Sequence, residues 1–396
     1  MLASLIAMAA MSQALRTSTT VVAADLQRSL ALSADQISLV ASAFHFAFAL
    51  VQIPAGVALD VYGVRRTLGA AGICLLAGAL LCACAPSLPL LLAGQVLTGI
   101  GCSPAFAGTL FFVARRYPPE RFAKISGLAL SLSGLGLLAT GTPLAWVVEH
   151  GGWRSGYAVL AAAAGLVLAA VAGLVRDRPE DRQRNAGTPW AALAGVGQIL
   201  RQRHTAGILA LSLVGYASYI ALRGLWAAPL LVARHGFSLT EAGHVLLASS
   251  LAALLGAPLF GHIRAGAAAR RRWIVAACLL TAVAFAGLAA GGPWWLDAAL
   301  CVLVGLLAGF SVLQFADAKE AYPREQAGRA FGVFNTVSFL GVALVQWATG
   351  LAAGAAAGAA ADPFAVAFLL VAASLAAGVL AFAVLPRPPA CAGRAA

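Results

Sequence analysis

Apolar runs of about 20 residues, repeated along nearly the whole chain with short polar breaks between them, constrain this sequence more than any other feature. In helical form a run of that length crosses the hydrocarbon core of a bilayer. There, each backbone N–H and C=O has to be satisfied inside its own segment, which a helix does and an open strand does not. Twelve spans can be placed, at 2–24, 38–59, 67–85, 88–113, 125–148, 156–175, 206–232, 241–263, 273–291, 295–316, 330–353 and 363–385. The expected fold is an all-α polytopic membrane protein. Composition excludes a soluble chain: 61% of residues are hydrophobic and 10% charged, against roughly 25% charged in soluble domains.

The longest polar stretch, 176–204, separates six spans from six. The expected organisation is an N-terminal six-helix bundle at 1–175, a cytoplasmic central loop at 176–205, and a C-terminal six-helix bundle at 206–396 ending in a short tail. Of the 26 Lys and Arg residues, 21 fall in loops on one side, including Arg65, Arg66, Arg115, Arg116 and Arg270 to Arg272. The other side holds three: Arg28, Arg154 and Arg234. Basic loops stay inside, so both termini are expected in the cytoplasm and the chain in the inner (cytoplasmic) membrane. The net charge of +12 is spread over these loops, not gathered on one polar face, and so does not indicate nucleic acid. Met1 to Leu15 lacks a basic leader region and its apolar pattern continues, so it reads as the start of span 1.

Six of the seven cysteines lie in apolar runs, Cys391 being the exception, and no CxxC or zinc-ligand Cys/His spacing occurs. They read as small packing residues; no metal or cofactor is expected. No GxxxxGK[ST] loop is present, so ATP is not expected to drive the protein directly, and no enzyme activity is indicated.

The halves look related. Ala14-Leu15-Arg16 in span 1 is followed by Leu32-Ser33-Ala34-Asp35-Gln36, and Ala221-Leu222-Arg223 in span 7 by Phe237-Ser238-Leu239-Thr240-Glu241. Gly56 of span 2 answers to Gly261 of span 8. Same-orientation halves are parallel repeats, with solutes bound between them near the midplane.

The segment after span 2 reads Gly56-Val57-Ala58-Leu59-Asp60-Val61-Tyr62-Gly63-Val64-Arg65-Arg66. It resembles the helix 2/3 signature of the major facilitator superfamily, G-x-x-x-D-[RK]-x-G-R-[RK], with Val61 in place of a basic residue. Gly99-Ile100-Gly101 resembles the family's R-x-x-x-G-x-G segment, with Gln95 at the arginine position. Gly127, Gly136, Gly141 and Pro143 loosely resemble its antiporter motif, though glycine-mediated helix packing accounts for them equally. Gly152-Trp153-Arg154 is also family-like and is expected to anchor at the interface. The resemblance implies secondary transport by alternating access, two six-helix halves rocking about a central site. It also implies a gate in which Asp60 meets the N-terminus of helix 11, near Arg329 to Gly332, when the cytoplasmic side closes. A helix N-terminus carries about half a positive charge.

Two arginines, Arg16 and Arg223, lie well inside spans. Arginine at that depth costs at least ~2.5 kcal/mol on insertion scales. Ser12, Arg16, Thr19 and Thr20 share one face of span 1; Tyr216, Tyr219, Arg223 and Trp226 share one of span 7. Acidic residues fall in loops or near helix ends, which leaves an anionic solute as the natural partner, with the planar Arg fork suited to carboxylate or phosphate. The competing reading has each Arg bonding backbone carbonyls and only holding helices together. The pair is similar to the helix-1 and helix-7 arginines of the superfamily's organophosphate antiporters and anion/cation symporters. His45 in span 2 is either an acceptor for a coupling proton or a neutral packing group. Gln314, Asn335, Ser338 and Gln346 either line the cavity or bond between helices. The expected function is alternating-access transport of a small anion, proton-coupled, by a monomer. Efflux of drug-like or amphipathic compounds by a proton antiporter of the same superfamily is the alternative, and a non-transporting receptor or scaffold the more distant one.

Overall fold

The computed structural model describes residues 1–177, 196–263 and 266–386. Most of the central loop, Arg264 and the tail from residue 387 with Cys391 lie outside the described residues. Those described are almost entirely helical. In chain order the helices are α1 (Leu2–Thr17), α2 (Thr19–Leu30), α3 (Ala34–Cys84), α4 (Leu88–Cys102), α5 (Ala105–Arg116), α6 (Pro119–Ser133), α7 (Leu135–Ala139) and α8 (Thr142–Leu174). After the loop come α9 (Thr205–Ala221), a π-helical turn (Leu222–Trp226), α10 (Ala227–His235), α11 (Leu239–Gly261), α12 (Ala267–Ala290) and α13 (Trp294–Leu307). The last three are α14 (Ser311–Glu320), α15 (Arg324–Gly358) and α16 (Pro363–Val384).

Twelve membrane passes follow from nine long apolar segments among the described residues. Ala34–Cys84 turns back at Gly63 (φ 81°) and Glu120–Leu174 at Gly152 (φ 76°), where the left-handed conformation favours glycine. α1 and α2 together make the first pass. The protein is therefore a multi-pass membrane protein with six passes on either side of the central loop.

Local chemistry explains the helix starts. Ser33 and Ser238 cap the second pass of each half: Gln36 accepts from Ser33 N at 3.1 Å and Glu241 from Ser238 N at 2.8 Å. That reciprocal cap satisfies otherwise orphaned N–H groups. Asp362 caps α16 by accepting from Phe364 N at 2.9 Å. Small residues let helices approach: the first glycine of the pair Gly78 and Gly94 has no room for a Cβ against Gly94 O and Thr98 N.

Trp153, expected at the interface, is only 3% exposed, and its Nε1 donates to Ser29 Oγ at 2.7 Å. It ties α8 to the end of α2 within the first half, with the indole N–H satisfied by that hydroxyl.

The two faces of the molecule differ. On the proximal face, where the chain begins, charged groups pair within their own half: Asp60 with Arg115 (3.9 Å), and Arg270 with Asp317 (3.3 Å) and Glu320 (2.8 Å). Among the described residues, the hydrogen bonds that join the halves run from mid-membrane to the distal face. They are Arg16 to Tyr216, Arg223 to Leu137 and Thr140, Ala228 to Thr20, and Thr240 to Glu149. The distal face is closed.

Candidate functional site

Both intramembrane arginines sit at helix irregularities in matching places. Arg16 ends the regular part of α1, just before the break at Ser18, and Arg223 lies inside the π-helical turn. Such turns inside helices often mark functional positions, because they release backbone groups and re-aim side chains.

Their environments differ. Arg16 is 8% exposed. Its guanidinium lies 4.9 Å from the Phe48 ring centre and 4.5 Å from that of Phe339, one ring from each half, and Nη1 donates to Tyr216 Oη at 3.2 Å. Aromatic faces stabilise a cation without satisfying its N–H groups, and Nε has no hydrogen-bond partner. Arg223 is 1% exposed and more fully bonded. Nε donates to Ser250 Oγ at 2.9 Å; Nη2 donates to Leu137 O at 2.9 Å and to Thr140 Oγ1 at 3.2 Å. The Leu137 carbonyl is available because the helix loosens there: the Gly141 N–H goes to Leu138 O. Only Nη1 of Arg223 is left unpartnered. Among the described residues neither arginine forms an ion pair.

Around them are buried polar side chains with few hydrogen bonds: His45, which meets Gln346, and Tyr219, which meets Ser250. His45, 1% exposed, bonds Ala41 O through Nδ1 at 3.1 Å and faces Arg16 and Gln346. That backbone acceptor fixes the proton on Nδ1 and leaves Nε2 as a bare acceptor.

Other expected site residues are engaged in helix contacts. Ser12 Oγ donates to Cys102 O at 3.2 Å, and Thr20 Oγ1 accepts from Ala228 N at 3.4 Å. Trp226 Nε1 donates to Thr349 Oγ1 at 3.0 Å; Ser338 Oγ pairs with Ser212 Oγ at 2.7 Å. Thr19 is buried. Gln314 lies against Gly215, and Asn335 is half-buried on α15. In the expected gate, Gly56 has open space around it, Arg66 is exposed, and Arg65 N donates to both Asp177 oxygens, at 3.1 and 3.2 Å. Asp177 thereby closes the turn at Gly63.

Sequence reasoning missed Phe48, Phe339, Thr140 and Ser250. Aromatic and hydroxyl residues are common in spans, and only folding brings these four to the arginines. A separate crevice of about 250 Å3 at the distal seam is lined by Asp25, Arg28, Glu149 and Phe237 among others. It holds no mid-membrane charge, so the buried polar group is the better candidate: ionisable groups at that depth are costly and mark solute paths.

Comparison with known proteins agrees with this architecture. The family model for the Major Facilitator Superfamily matches residues 2–346 and again 227–396. A probable galactarate/D-glucarate transporter of Bacillus subtilis (strain 168) is 25% identical over 356 residues, covering 78% of this chain and 76% of the relative. A hexuronate transporter of the same organism is 25% identical over 295 residues, covering 69% of each chain. The inward-open structure of the xylose transporter XylE from E. coli has a TM-score of 0.76 at 13% identity, covering 99% of this chain and 97% of that one.

Proposed function

We infer the following from the premise that the chain belongs to the major facilitator superfamily: this secondary active transporter carries a small organic anion of the sugar-acid kind. The observation that supports it is the pair of mid-membrane arginines, one from each half, neither ion-paired and each keeping a buried N–H without a partner. Two positive charges in low dielectric repel, and a carboxylate relieves the repulsion while accepting charge-assisted hydrogen bonds. The relatives with the broadest coverage carry names of sugar-acid transporters.

Arg16 is the principal anion contact. Its hydrogen bond to Tyr216 is long and goes to an uncharged hydroxyl, so a carboxylate displaces little. Arg223 contributes Nη1, with Nε and Nη2 already engaged across the seam. His45 takes the coupling proton. The proximal face is cytoplasmic, as the basic asymmetry requires, and the protein works as a monomer. The inter-half hydrogen bonds on the distal side support an inward-facing state. A lone cysteine placed at position 190 stays unlabelled by an impermeant thiol reagent in intact cells.

The test is uptake of glucarate and of a hexuronate into vesicles containing the purified protein, with and without an inward proton gradient. Uptake of either acid, raised by the gradient and lost in Arg16→Gln, is the expected result. Movement of a lipophilic cation such as ethidium, with neither acid carried, overturns the reading in favour of drug efflux.

A further inference from the structure

Phe48 and Phe339 come from opposite halves, on α3 and α15, and their ring centres stand 4.4 Å apart with the planes 56° from parallel. Both rings are buried. Each is held by an aromatic side chain of its own half. Phe44 stacks on Phe48 at 6.0 Å, and Tyr216 meets Phe339 edge-on at 5.6 Å. Of these three ring contacts, the one between Phe48 and Phe339 crosses the seam.

The depth of the pair follows from the helices that carry it. α3 runs from the distal face toward the proximal one and α15 runs back, so the two pack antiparallel. Near the distal end a Cβ on Gly354 would stand 3.4 Å from Asp35 Oδ1, and one on Gly350 would overlap Ser38 Oγ. Farther in, His45 meets Gln346, and then Phe48 meets Phe339. Phe48 follows His45 by three residues toward the proximal face, about 4.5 Å along the axis. Phe339 precedes Gln346 by seven, about 10 Å. The rings therefore lie between His45 and the proximal face. The next positions in the same register are Gly56 and Gly332, where an added Cβ meets nothing within 4 Å. Gly332, Phe339 and Gln346 are each about two helical turns apart and share one face of α15.

The contact is apolar, and parting it leaves no donor or acceptor unpaired. The same ring faces cover the Arg16 guanidinium, at 4.9 and 4.5 Å, so the closed pair shields the charge that a solute has to reach. We propose that Phe48 and Phe339 are gating residues of the transport cycle. The two rings close the seam on the proximal side of the Arg16 and His45 site, and solute passes between the site and the proximal face only when they part. The gate concerns the route to the site and holds whichever solute is carried.

The test places a single cysteine in the full-length protein without its natural cysteines, and reacts it with an impermeant methanethiosulfonate. Inverted membrane vesicles present the proximal face; right-side-out vesicles present the distal one. With both rings in place, Gln346→Cys reacts about tenfold more slowly in inverted vesicles than Gly332→Cys, which lies on the other side of the rings. Equal rates overturn the proposal, and that arm needs no ring variant to fold. Phe48→Ala or Phe339→Ala, added to Gln346→Cys, raises its rate about tenfold in inverted vesicles and leaves it unchanged in right-side-out ones. Phe48→Tyr keeps a ring in place and keeps the slow rate. So does Phe285→Ala, the same truncation of a buried ring inside the second half. Acceleration in right-side-out vesicles, or by Phe285→Ala as well, marks loosened packing and overturns the gate. An unchanged rate in both alanine variants also overturns it.

Discussion

Arg16 and Arg223 occupy matching positions of two related halves, each after Ala-Leu and each at mid-span, yet folding gives them unequal work. Arg223 joins α11 to the loosened carbonyl of Leu137, making three bonds to the surrounding protein. Arg16 lies between two aromatic rings with one hydrogen bond, to an uncharged hydroxyl. The same residue at the same depth can close a seam or await a ligand, and what decides is how many acceptors the neighbouring helices bring within reach. Helix fastening is represented at Arg223, while Arg16 keeps the fewer bonds that the proposed anion contact requires.

The largest expected effect tests the Arg16 side. Arg16→Gln removes a charge-assisted contact worth about 1.5–3 kcal/mol, a ten- to hundredfold loss of solute affinity measured by titration calorimetry. Arg16→Lys keeps the charge without the fork and falls between. Adding Arg223→Gln to Arg16→Gln costs little more, since one remaining charge holds the anion poorly.

A second, smaller effect tests the other side. Arg223→Met leaves Leu137 O with only its contact from Thr140 and frees Ser250 Oγ, lowering stability by about 1–3 kcal/mol in thermal unfolding. It also loosens the distal seam, read as faster labelling of a cysteine at Thr240 from the distal side. If Arg223→Met costs as much solute affinity as Arg16→Gln and leaves distal labelling unchanged, the contrast between the arginines disappears.

The smallest effect concerns the proximal face. Asp60 lies beside Arg115, 3.9 Å away, and the proposed gate needs it to meet the N-terminus of helix 11 when the cytoplasmic side closes. Asp60→Asn weakens its attraction to a helix N-terminus, about 0.3–1 kcal/mol, so turnover slows up to about fivefold while solute affinity holds. Unchanged turnover at equal protein level removes the gate from the account.

Much of the fold was legible. The apolar runs gave the passes and Gly63 the turn after the second pass, because each is a local rule: hydrophobic length and left-handed backbone. The site was legible only as depth. Arg16, Arg223 and His45 stood out because charge in hydrocarbon is costly wherever it is. The Phe48 and Phe339 pair around Arg16 was not legible, since those residues are 291 positions apart and aromatic residues in spans are common.

The sequence by itself determined a twelve-pass helical membrane protein with two related halves and two arginines too deep to be incidental, because hydrophobic length and charge burial are properties of single segments. Only the tertiary structure decided which arginine is the more fully bonded and which serine and threonine hydroxyls are already engaged. Those depend on what the facing helices supply, and hydrogen-bond satisfaction is a property of pairs of segments that no single segment records.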